Sequence, residues 1–110
     1  MSRICGTYAP VVTSSLPVRV VLICGGRWHD FDFARAELLS LLAADERVRT
    51  RVFDTYEGVE ALADADLLVT YTCDLRPNAA QQAALVEFVA HGGRWLALHG
   101  TNAAIDPPGA

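Results

Sequence analysis

"VRVVLIC", residues 18–24, is the stretch that decides the fold. It is almost continuously aliphatic, rich in β-branched residues and bounded by Pro17 and Gly25-Gly26. A strand with one solvated face would alternate apolar with polar. A run without alternation is buried on both faces, which is the signature of a parallel sheet covered by helices. "DLLVTYTC" (66–73) has the same character and belongs in the sheet centre. "VRTRVFD" (48–54) alternates apolar residues with Arg and Thr, so one face meets water and it reads as an edge strand. "RWLALHG" (94–100) reads as a fourth strand.

Helical patterns fill the gaps. Residues 33–44, "FARAELLSLLAA", place Ala34, Leu38, Leu41 and Leu42 on one stripe, with Asp30 or Asp32 as N-cap. A short helical turn is predicted over 58–64. "NAAQQAALVEFVAHGG" (78–93) opens with Asn78 and Gln81 at capping-box spacing, packs through Leu85, Phe88 and Val89, and stops at Gly92-Gly93. Strands alternating with helices make a doubly wound, flavodoxin-like α/β fold. Right-handed crossovers then predict the sheet order 2-1-3-4, which puts the alternating strand on the edge. Residues 1–17 read as a flexible N-terminal leader and 18–110 as a partial domain, truncated after strand 4. An uncovered strand edge invites pairing with another chain, so self-association through strand 4 is expected.

Composition narrows the function. The chain has 110 residues, is 52% hydrophobic and 20% charged, and carries a formal charge of −4. These values suit a globular domain, and no apolar run reaches the ~18 residues of a membrane span. A signal-peptide h-region is missing, so a cytoplasmic location is the default. All nine cationic residues are arginine, and they form no basic cluster that would suit nucleic acid. Without lysine, the chain has no Walker P-loop, Schiff-base lysine or phospho-receiver lysine. Cys5, Cys24 and Cys73 make no CxxC pair, and Cys24 and Cys73 read as small hydrophobes. "GGRWHDF" lacks the third glycine of a dinucleotide fingerprint. Flavin binding ranks last among the rival readings because no phosphate loop is present.

Ligands of open parallel sheets bind outside the carboxyl ends of the strands. His29 follows strand 1 and His99 ends strand 4, so both occupy that rim, two strand spacings or about 10 Å apart at the backbone. Side chains reaching inward could bridge that distance around a small ligand or a divalent metal such as zinc, which imidazole binds well. Gly25, Gly26 and Gly100 are expected to let the backbone approach the ligand. Asp54, Thr72 and Cys73 share the rim, with Asn102 just beyond strand 4. Asp30 serves as a helix cap or as a ligand contact, with the cap favoured. Trp28 reads as packing, and His91, in the last turn of a helix, as structural.

Gly25-Gly26 with His29-Asp30, the "DADLLVTYT" strand, the "QQAALVEFVAHGG" helix and the "LALHGTNAA" strand exit resemble the ThuA-like (trehalose utilisation) family. The similarity runs from about Val18 to Ala104, the first half or so of a typical family domain. The family is similar in fold to class I glutamine amidotransferases, whose nucleophilic cysteine stands in the turn after the strand matching 94–99. Here that turn reads Leu98-His99-Gly100, so the resemblance does not extend to thiol-based glutamine hydrolysis. What it implies is a role in carbohydrate utilisation, with trehalose or a related, oxidised disaccharide as substrate. His29 and His99 would then be catalytic or metal-binding, and Gly25, Gly26, Asp30, Thr72, Gly100 and Asn102 would contact the sugar.

Overall fold

Residues Val20 to Cys24 are each no more than 1% exposed, and they form the middle of β1 (Val18–Gly26). The structure, a computed structural model, describes residues 16–101. Nearly all of the expected leader, together with Asn102 and the chain after it, lies outside the described residues. From β1 the chain continues through α1 (Phe31–Ala43), β2 (Val48–Phe53), a 3-10 segment (Tyr56–Asp64), β3 (Leu67–Cys73), α2 (Ala79–Ala90) and β4 (Arg94–Ala97). The four strands are all parallel and lie in the order β2-β1-β3-β4. The two continuous aliphatic runs are therefore central and the alternating run is an edge, as the patterning required.

Alternation along the central strands divides the core into two layers. Val20, Leu22 and Cys24 of β1 and Val69 and Cys73 of β3 pack under α1, with Phe31 and the partly buried Ala34, Leu38, Leu39 and Leu42. Val21, Ile23 and Leu68 face the other way, onto Tyr56, Ala61 and Leu62 of the 3-10 segment and Leu85 and Phe88 of α2. Cys24 and Cys73 are buried free thiols, and burial pushes the Cys24 thiol above its ordinary pKa.

The helix starts are set by short polar side chains. Asp30 caps α1 by accepting the Phe33 N–H at 3.0 Å. Asn78 and Gln81 close the capping box of α2 through two reciprocal 2.8 Å bonds. Two apolar positions depart from the helical stripes. Leu41 is 72% exposed and Leu39 packs in its place. Successive helical positions are rotated by about 100°, which carries Leu41 off the side that faces the sheet. Val89 on α2 is likewise exposed, and full burial on this helix is confined to Leu85 and Phe88. Strand 4 is shorter than its apolar run. Its ladder stops at Ala97, because Gly100 takes a positive φ and the Thr101 N–H turns back to the Leu98 carbonyl at 3.0 Å.

Candidate site at the carboxyl rim of the sheet

The exits of β1, β3 and β4 converge on one rim. After Gly26, the Arg27 N–H donates to the Cys73 carbonyl at 3.0 Å, which ties the β1 exit to the end of β3. Beyond it His29 turns inward over the sheet face that carries α1. Its ring stands 5.7 Å from Phe31, 5.9 Å from Tyr71 and 5.9 Å from His99, centroid to centroid. Phe31 and Tyr71 are themselves 5.3 Å apart. The two histidines, seventy residues apart in sequence, thus meet edge to face at an interplanar angle of 83°. They stand against a wall of two aromatic rings, one buried and one half-buried, while both histidines remain exposed.

The β4 exit is latched by hydroxyls. Thr101 Oγ1 donates to the Thr70 carbonyl at 3.0 Å, and Trp95 Nε1 donates to Thr70 Oγ1 at 2.9 Å. Thr70 Oγ1 and Thr101 Oγ1 are also 3.0 Å apart. Since Thr101 has spent its single proton on the carbonyl, Thr70 must donate in that contact. Every hydroxyl of this buried network is therefore satisfied, and the turn that carries His99 is held rigidly on β3. On the neighbouring strand, Arg35 reaches from α1 to the Cys24 carbonyl at 2.7 Å while also bonding Asp32 at 2.8 Å.

The rim glycines are explained by protein neighbours. A Cβ on Gly25 would strike the Asp54 carbonyl, one on Gly26 the Cys73 carbonyl and one on Gly100 the Thr72 carbonyl. Gly26 and Gly100 also hold φ of 126° and 92°, where L side chains are strained. The close approach expected toward a ligand is made toward adjacent strand ends, because parallel strands leave the sheet side by side. Trp28 also departs from expectation. It is 65% exposed rather than packed, because it stands beyond the last paired residue of β1 and none of the described elements covers it.

The other expected residues divide clearly. Asp30 is engaged as the α1 cap. Thr72 is fully buried, and among the described residues its hydroxyl has no hydrogen-bond partner. Asp54 is exposed at the end of β2, three strand positions from β4 and so about 14 Å from its exit. His91 lies at the end of α2 with its Nδ1 3.0 Å from the Glu87 carbonyl, a helix-end role. Among the described residues, no three His, Cys, Asp or Glu side chains gather as a metal site. Two imidazoles are only half of the four ligands a tetrahedral zinc site needs. A groove of about 360 Å³ lies elsewhere, between the 3-10 segment and α2 at the opposite end of the sheet. It contains none of the rim residues.

Sequence reasoning placed the two histidines on one rim but missed Phe31, Tyr71, Thr70, Thr101 and Arg35. Period-2 alternation does place Tyr71 on the face of Val69 and Cys73, a signal that could have found it. Comparison of the chain with protein-family models, with curated proteins and with solved structures finds no match.

Proposed function

We propose that this chain is a ThuA-like domain that binds a sugar, trehalose or a related disaccharide, at the carboxyl rim of its sheet and takes part in carbohydrate utilisation in the cytoplasm. The observation that carries the reading is the meeting of His29 and His99 at 5.9 Å over an aromatic wall. Imidazole exchanges protons near neutral pH, so one histidine acts as acid or base while its neighbour holds a hydroxyl. Aromatic rings with a few convergent polar groups are the usual lining of a small-molecule site. The backbones of Gly25, Gly26 and Gly100 line its floor, and Asp30 anchors the loop beneath. Asn102 follows the β4 exit and contacts the sugar in this reading. A divalent ion such as zinc would be held by the two imidazoles and completed by water or substrate. Chemistry through a cysteine is not part of the proposal, since the turn after β4 presents His99.

A ¹H–¹⁵N spectrum that includes the histidine side chains tests this, with trehalose and zinc added separately. His29 and His99 should shift together on addition of trehalose while His91 stays still. His99→Ala should abolish those shifts and leave the amide dispersion intact. A collapsed His99→Ala spectrum would make that histidine structural, and histidines indifferent to both additions would remove the site.

A second reading is favoured by the β4 edge. All four β4 residues are exposed, with Trp95 at 39% and Leu96 at 51%. In that reading the domain is a non-catalytic module that pairs with a second copy along β4. Sedimentation velocity over a range of concentrations tests it, and a single non-associating species would exclude it.

A further inference from the structure

We propose that Trp28 is the platform on which a pyranose ring of the ligand stacks, beside the histidine pair; this rests on the sugar-site reading above. The residue holds φ at 71°, a left-handed backbone that a bulky side chain rarely adopts. Such strain persists only when the surroundings impose it. Here the imposed conformation leaves a large indole in solvent, 65% exposed, one residue before His29 in the chain.

The indole is braced from one side. The Arg27 guanidinium lies 4.8 Å from the ring centroid, a cation–π distance. Arg27 is itself held by Asp74 at 3.6 Å and by its backbone bond to Cys73. Asp74 also has a positive φ, of 54°. The ion pair thus joins one strained residue, Asp74, to the arginine that precedes the other, and that same guanidinium lies over the Trp28 ring. With the guanidinium on one face, the other face is left for a ligand. An exposed aromatic alone means little. Phe33 is nearly as exposed, but it sits on ordinary helical backbone and no cation over its ring is among the described contacts.

A pyranose suits this arrangement chemically. One face of the ring is a patch of C–H groups, which gains dispersion contact on a flat indole, while its rim hydroxyls need polar partners. Trp28 offers the flat surface and His29 with His99 offers the partners. The platform therefore contributes affinity, and the imidazoles set orientation.

Trehalose titrations of the full chain, followed by the two indole Nε1–H signals and the histidine side chains, test the proposal. Wild type, Trp28→Asn, Trp28→Phe and His99→Ala are compared; asparagine is chosen because it tolerates a positive φ. The Trp28 indole should shift with His29 and His99 while Trp95 does not. Trp28→Asn should weaken trehalose binding about tenfold, the usual effect of removing an aromatic anchor, and Trp28→Phe should restore most of it. Trehalose binding that depends on His99 but is unchanged in Trp28→Asn would overturn the platform and leave the sugar site standing. Absence of any trehalose shift in wild type would overturn both.

Discussion

Thr72 shows what a single atom contributes at this rim. Its residue is fully buried, yet its hydroxyl has no partner among the described residues, whereas the hydroxyl of Thr70 two positions earlier is fully engaged. A buried hydroxyl without a hydrogen bond costs about 1–3 kcal/mol. Valine matches threonine in shape and lacks that cost. Thr72→Val should therefore raise the unfolding free energy by about 1 kcal/mol, read as a higher urea midpoint at unchanged slope. A lower midpoint would mean that the hydroxyl is already bonded in the folded protein. The same substitution should leave sugar binding unchanged, because Thr72 alternates with Tyr71 and so faces the α2 side of the sheet, away from the histidine pair and from the sugar contact expected of it.

At the scale of elements, each helix is positioned by its first residues. In α2 both capping-box bonds are present, and the helix presents only Leu85 and Phe88 as buried anchors. An element with so few core contacts depends more on its cap than a deeply packed one. Asn78→Ala should cost about 1 kcal/mol, measured by chemical unfolding, and should leave the histidine pair undisturbed, because α2 packs on the opposite face of the sheet. Loss of trehalose binding in Asn78→Ala would contradict that separation. Asp30 couples cap and site more tightly. It starts α1 one residue after His29, so the bond to Phe33 that begins the helix also fixes the loop carrying the first imidazole.

At the scale of the whole molecule, the parallel sheet leaves two consequences: a rim where three strand exits meet, and an edge at β4. Both faces of β4 carry a large apolar side chain, Trp95 on the α2 side and Leu96 on the α1 side, as their pairing with Leu68 and Val69 dictates. Unpaired strand edges with exposed apolar residues are prone to recruit another chain, and a charge placed on the edge suppresses it. If copies associate through β4, Leu96→Lys should return the sedimenting species to monomer without loss of helical signal. Association that survives this change would place the contact elsewhere.

The sequence by itself determined the parallel sheet, its order, the edge position of β2, the cap of α2, the choice of Asp30 or Asp32 as cap of α1, and the common rim of His29 and His99. These follow from rules of short range: period-2 alternation or its absence, the geometry of a cap, and the handedness of a crossover. Only the tertiary structure decided that the histidine rings stand 5.9 Å apart, that Tyr71 and Phe31 wall them, and that Thr101 latches the β4 exit to Thr70. It alone revealed that Gly26 and Gly100 are needed for neighbouring backbone, that Trp28 faces solvent, and that Leu41 leaves the helical stripe. Each of these depends on which atoms of a distant segment arrive at a given point. A local pattern records which face a residue occupies but carries no information on what will meet it there.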